Sequence, residues 1–286
     1  VRVPDDVVTR YLTRIGLDGA DTSVATLVRA HVAAIPYENL DVRLGREIRI
    51  DREGLIAKLL DGGRGGYCFE QNGLFAAMLE ALGYDVTRCL GRVRLGDATS
   101  ARPATHMVLL VDGVLVDVGF GSATPSGPVP IDGEATYGPW TWRTERTRSP
   151  EGDDVWLVSL GDMALYTFTE TPRHPIDYIT PNHFTATHPQ SLFTNVTIVQ
   201  RWDGDTQVGL INGELTIRHP DFTTDVERIE PADYGEVLRA RFGLALGADD
   251  IDRLVAATFG PAATTSGPET GATPETRARS EPTPRA

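Results

Sequence analysis

The sequence predicts an α+β protein, helices first and antiparallel strands after. Three observations predict it. Apolar residues recur at helical spacing through the first third of the chain. Near Val86 the period shortens to that of strands, and two hairpin-turn dipeptides follow, Asp112-Gly113 and Asn212-Gly213. Helical spacing then returns at about residues 232–242 and 249–259. With 286 residues and 41% of them apolar, the chain is long enough for a sizeable core and about two domains.

The elements follow in order. Val7, Val8, Tyr11, Leu12 and Ile15 form the apolar stripe of a first helix, with Asp5 or Asp6 as N-cap and Gly16 as stop. Val24, Leu27, Val28, Val32 and Ile35 repeat the pattern until Pro36 ends it. Asp51 caps a third helix, short and facing the core through Leu55, Ile56, Leu59 and Leu60, and Gly62-Gly63 closes it. A fourth begins near Cys68, carries Phe69, Leu74, Phe75, Met78, Leu79 and Leu82, and stops at Gly83. Strand patterns cover residues 86–95, 105–111, 114–120, 155–160, 195–201, 207–211 and 214–218. No internal repeat is present. From residue 260 onward there is no Leu, Ile, Val, Met or aromatic residue. Such a segment cannot offset its chain entropy by burial, so it is expected to be a disordered tail, inert or a binding segment.

Charge narrows the function classes. Lys plus Arg total 27 against 40 Asp plus Glu, a formal charge of −13. A general nucleic-acid binder needs the opposite excess. Any anionic ligand must be held by a local patch or by backbone N–H groups. Two cysteines cannot form a disulfide framework, no apolar run reaches membrane-spanning length, and residues 1–6 have no apolar signal-peptide region. A cytoplasmic protein without a membrane partner is expected.

The informative segment is Arg64-Gly65-Gly66-Tyr67-Cys68-Phe69-Glu70-Gln71-Asn72. A glycine-rich turn delivers a cysteine to a helix start, where free N–H groups and the dipole favour thiolate over thiol. Arg64 adds a nearby cation. Cys68 is either a nucleophile or a small buried hydrophobe. His106 and Asp117 bear on that choice. If Asp112-Gly113 are the two loop residues, paired strand positions sum to 225. Asp117 then falls opposite Val108, and His106 becomes its diagonal neighbour on the same face. A carboxylate among apolar strand residues needs a partner. The pair is either a base with its orienter or a structural brace.

These residues carry a family resemblance. Arg64–Asn72, Thr105-His106-Met107 and Asp117-Val118-Gly119-Phe120-Gly121 resemble the arylamine N-acetyltransferase family. Ile35-Pro36-Tyr37-Glu38-Asn39-Leu40 and Pro189-Gln190-Ser191-Leu192-Phe193 match further motifs, and the likeness runs from about residue 5 to about residue 240. It is to the compact bacterial members. It implies an N-terminal helical bundle (residues 1–85, carrying the nucleophile), a central antiparallel β-barrel (86–185, carrying His and Asp) and a C-terminal α/β lid (186–260), with a cysteine-protease-like core; the tail expected from composition takes up 261–286. It further implies that Cys68 takes an acetyl group from acetyl-CoA as a thioester, that His106 handles the proton and that Asp117 orients His106. An arylamine or hydrazine then accepts the acetyl group in a ping-pong sequence.

Other positions carry over from the same resemblance. Arg64 and Glu38 match a scaffold ion pair. Tyr37 and Phe120 match aromatics of the acceptor cleft, or serve core packing. Thr105, Gly119, Phe120, Gly121 and Phe193 match coenzyme A contacts, although both glycines could serve only a strained turn. Arg88, Arg92 and Arg94 share strand parity, as a patch for the coenzyme's phosphates or as a solvated barrel face. Cys89, on the opposite face beside Val93 and Leu95, is expected in the core, with a Cys68–Cys89 redox pair as the alternative. His174, His183 and His188 fall in a Pro-rich loop region without zinc spacing, and no metal is expected. Three other functions stand beside acetyl transfer. They are an amide synthase closing a polyketide macrolactam, a transglutaminase- or papain-like hydrolase, and a non-catalytic relative.

Overall fold

Most helices start where a capping side chain or a proline sets them. The computed structural model describes residues 3–95, 97 and 100–260, so the expected tail lies outside the described residues. α1 (Asp5–Arg14) buries Val7 and Tyr11. Its N-cap is Pro4, not Asp5 or Asp6; the two carboxylates occupy the first turn, where the helix dipole favours them. α2 (Val24–Ala34) is capped by the Ser23 hydroxyl, which accepts from the Thr26 N–H. β1 (Tyr37–Glu38) and the single turn α3 (Leu40–Arg43) follow Pro36. Asp51 caps α4 (Arg52–Leu55) by accepting from the Gly54 N–H at 3.0 Å, and a π-helical stretch, Ile56–Asp61, continues it to Gly62. α5 (Cys68–Ala81) is buried on nearly every side, and that includes the polar Glu70, Gln71 and Asn72. A helix with no solvated stripe lies in the interior, and α5 packs between α1, α4 and the barrel.

The barrel is one antiparallel sheet. Its strands are β2 (Val86–Val93), β3 (Ala104–Val111), β4 (Val114–Val116), β5 (Val129–Pro130), β6 (Gly133–Tyr137), β7 (Trp140–Arg148), β8 (Asp154–Leu160) and β9 (Met163–Phe168). Their order is β5-β4-β3-β2-β9-β8-β7-β6. The two edge strands are joined by a short turn, and the Thr144 hydroxyl of β7 donates to the Pro130 carbonyl of β5 at 2.7 Å, so the barrel is nearly closed. The strand expected over 114–120 stops at Val116. The region of His174, His183 and His188, expected as loop, contains a 3₁₀ turn (Pro175–Tyr178) and α6 (Ile179–Thr187). His174 precedes that turn, His183 lies within α6, and His188 follows it, stacked on Phe184 at 4.4 Å.

α7 (Leu192–Asn195) takes the start of the strand expected at 195, which opens instead at Ile198. β10 (Ile198–Asp203), β11 (Thr206–Ile211), β12 (Glu214–Arg218) and β13 (Thr224–Arg228) form a second sheet, ordered β1-β10-β11-β12-β13. α8 (Tyr234–Phe242) and α9 (Ala248–Phe259) cover one face of it. β1 pairs with β10 through Tyr37↔Gln200, and Leu40 and Leu44 enter the same core as Val199, Leu210, Leu238 and Leu254. The segment after Pro36 therefore ties the N-terminal helices to the C-terminal sheet. Among the described residues no helix is long and apolar enough to cross a membrane.

Candidate active site

Cys68 is the first residue of α5, and Tyr67 is its N-cap. The cap is closed by Glu70, whose Oε2 accepts from the Tyr67 N–H at 3.0 Å. The Cys68 thiol points across to β3 and donates to the Thr105 carbonyl at 3.6 Å. His106, the next residue of β3, is buried. The β3–β4 hairpin has the predicted register, Leu109↔Val116 and Val111↔Val114 around the two-residue turn. That register brings Asp117 to His106, with Nε2 to Oδ2 at 2.6 Å. The Nδ1 atom is left as the ring nitrogen for the thiol.

β4 ends before Asp117 because Asn72 and the Asp117 side chain replace the ladder. Asp117 Oδ1 accepts from the Gly119 N–H at 2.8 Å and from Asn72 Nδ2 at 2.9 Å. Asn72 also donates to the Met107 carbonyl at 2.8 Å and accepts from the Val118 N–H at 2.9 Å. The backbone thus leaves β3 to wrap around one amide. The sequence motifs assign Asn72 no role of its own, although a signal is there: four residues after Cys68, it lies one turn along the same helix face. Gly119 is required by this packing, since a Cβ there would stand 2.8 Å from Cys68 Cα and from Asn72 Nδ2. Gly121 takes φ +72°, and a Cβ there would meet the Gln200 amide.

The electrostatics follow from these contacts. Burial alone would lower the His106 value, but the Asp117 carboxylate beside it and the adjacent Cys68 overcome that and push it up to about 10. Burial alone would raise Asp117; His106, Asn72 and the Gly119 N–H hold it below the ordinary carboxylate value instead. The imidazole ring packs on Phe120, 4.9 Å away, and on Tyr166, 4.7 Å away, and those two rings pack on each other at 4.9 Å. Phe193 packs on Tyr37 at 6.4 Å and on Tyr67 at 5.5 Å. The site residues predicted from sequence therefore converge: Cys68, His106 and Asp117 are assembled, Thr105 and Gly119 touch Cys68, and Phe120 touches His106.

Two expectations fail. Arg94 is not on a solvated face and is not free for a phosphate. It is wholly buried, with Nη2 2.9 Å from Glu151 Oε2. Arg92 donates to the Arg102 carbonyl, and Arg88 pairs with Glu80. β2 ends at Val93, so strand parity no longer fixes the face of Arg94. Leu95 does not share the core with Cys89; it is past the strand end, at φ 43°, and exposed. Cys89 itself is buried and free, its thiol pushed up to about 12 by burial and by Glu170.

A family model described as N-acetyltransferase matches residues 22–251. An arylamine N-acetyltransferase of Mycolicibacterium smegmatis is 38% identical over 255 residues, covering 83% of this chain and 91% of that protein. This chain belongs to the N-acetyltransferase family. Its fold agrees with solved members. The arylamine N-acetyltransferase of Mycobacterium abscessus superposes with a TM-score of 0.82 at 36% identity, over 88% of this chain and 94% of that one. The Mycobacterium marinum enzyme, solved in complex with CoA, gives 0.80 at 32% identity, over 88% and 98%. The expected α+β architecture is thus that of the family.

Proposed function

We propose that this chain transfers an acetyl group from acetyl-CoA to an arylamine or hydrazine through a thioester on Cys68. The observation that carries the reading is the assembly of Cys68, His106 and Asp117 in a member of this family. Sγ attacks the acetyl carbonyl while its proton is held on the His106 ring. The bond from the carbonyl carbon to the coenzyme sulfur breaks, and coenzyme A leaves as a thiol with that proton. The amine then attacks the enzyme thioester, His106 takes the amine proton, and Cys68 is released. Asp117 holds the ring so that Nδ1 faces the sulfur. Asn72 holds Asp117. Tyr37, Phe120 and Phe193 form the wall against which a flat acceptor stacks, and Thr105, Gly119, Phe120, Gly121 and Phe193 border the donor's thioester end.

The test is intact-protein mass after brief exposure to acetyl-CoA, with a Cys68→Ala control and an arylamine chase. One acetyl adduct is expected; it requires Cys68 and disappears with amine. An adduct that survives Cys68→Ala, or one that amine does not discharge, would end this reading.

A further inference from the structure

Acetyl-CoA is a polyanion, and this chain carries a formal charge of −13. The arginines that parity grouped on β2 are already held by Glu80 and Glu151 or by a carbonyl. The donor's phosphates therefore need another place. We infer that they bind in the cavity of about 200 Å³ on the open face of the second sheet, with Gln207 at its floor and Arg218 at its rim. This rests on acetyl-CoA being the donor and goes beyond it by assigning the nucleotide end to residues of its own.

Position is the first argument. Phe120 packs on the His106 ring, and the turn Gly121–Ala123 follows directly. Ser122, in that turn, lines the cavity and donates its N–H to Gln200 Oε1 at 2.9 Å. Gln200 also lines it and pairs in register with Tyr37. The acyl site and the cavity thus share a wall, and a donor whose thioester lies at Cys68 can extend its far end past Ser122.

Chemistry is the second. Gln200, Gly209 and Thr216 are in register across β10, β11 and β12, as are Gln207, Arg218 and Thr224 across β11, β12 and β13. The opposite face, with Val199, Leu210 and Leu215, packs on α8 and α9. Gln207 is buried, yet its Nε2 has no hydrogen-bond partner. A buried donor left without an acceptor is costly, and an acceptor-rich ligand would relieve that cost. Arg218 stands directly across from Gln207 and lies over the Trp140 ring at 5.7 Å. Among the described residues it has no ion-pair partner. An amide N–H, a stacked guanidinium and the hydroxyls of Ser122, Thr216 and Thr224 are donors for phosphate oxygens, which only accept.

The test uses the full chain and two thioesters, acetyl-CoA and S-acetyl-N-acetylcysteamine, which lacks the nucleotide. Arg218→Gln is expected to raise the calorimetric Kd for coenzyme A about tenfold, the effect of one charge-assisted contact. The ratio of kcat/KM for acetyl-CoA to that for the short thioester falls by the same factor. Arg218→Glu lowers both further, and Arg218→Lys restores part. Because Arg218 is exposed, these variants are expected to keep the parent's thermal midpoint. A coenzyme A Kd unchanged in Arg218→Gln and Arg218→Glu overturns the site, as does an equal loss with both donors. Calorimetry decides the cavity independently of turnover. Failure of both thioesters to acylate Cys68 would instead sink the acetyl-transfer reading.

Discussion

Two buried polar clusters meet the first turns of α5 from opposite sides. Cys68 and Asn72 look toward β3 and β4, where His106 and Asp117 wait. Glu70, about 200° around the helix from Cys68, looks the other way. Its Oε1 is 2.7 Å from Lys58 Nζ, and Lys58 also pairs with Asp41 at 2.9 Å. Arg64 completes that side, 2.8 Å from Glu38 and 3.3 Å from Asp41. In the second cluster each charged group is met by opposite charge, and no atom is left to meet a substrate. In the first, the carboxylate is saturated, the ring is oriented, and one sulfur remains. Burial and charge alone do not tell the two clusters apart; a thiol beside an oriented imidazole does.

The sharpest way to break this contrast is at Asp117. Asp117→Asn should slow acylation of Cys68 about a thousandfold or more. Single-turnover mass spectrometry reads the rate, and circular dichroism checks the fold. An undiminished rate would make the His106–Asp117 pair a brace like its counterpart. Asn72→Ala comes next. It leaves Asp117 oriented by fewer donors, and a loss of about a hundredfold is expected. A shift in the pH profile of acylation should accompany it, which a merely destabilised scaffold would not produce.

The counterpart cluster should respond in stability instead. Glu38→Gln breaks a buried pair and should cost about 3–5 kcal/mol in urea unfolding. The rate per folded active site should change by less than about twofold. A larger fall would place Arg64 in the chemistry.

The smallest effect concerns pH. Burial, then the nearby Glu38, push Glu70 up to about 7 even though Lys58 opposes them. Its folded value exceeds the ordinary 4.5, so its contribution is fully present below that value and is lost as pH rises through about 7. His31 has the opposite sign. It is buried between the Tyr11 hydroxyl and Gln71, and burial lowers it from 6.5 to about 4. Its contribution is present above 6.5 and lost as pH falls through about 4. Glu70→Gln should therefore gain stability relative to the parent between about pH 5 and pH 8. Thermal midpoints across that range check it, and a constant difference would remove Glu70 as the cause.

Much of the site was legible because it is local or periodic. The glycine turn before Cys68 and the two-residue turn at Asp112-Gly113 are chemical signals within a few residues. From the second, register arithmetic placed His106 beside Asp117 without any long-range knowledge. Two of the misses have a plain physical cause. β6 and β13 face solvent along much of their length, so no apolar alternation announces them; their neighbours' ladders make them strands. Parity places Arg94 on the wrong face because it assumes the strand runs on to residue 95, whereas β2 ends at Val93 and the chain turns there.

The sequence by itself determined the α+β class, the helix start at Cys68, the His–Asp hairpin and the family, since each depends on spacing along the chain. Only the tertiary structure decided which polar groups have partners. Asn72 became the clasp on Asp117, Arg94 was spent on Glu151, and Gln207 was left without a partner across from Arg218. A hydrogen bond or ion pair is settled by directions and distances between side chains far apart in sequence, and periodicity carries no information about those.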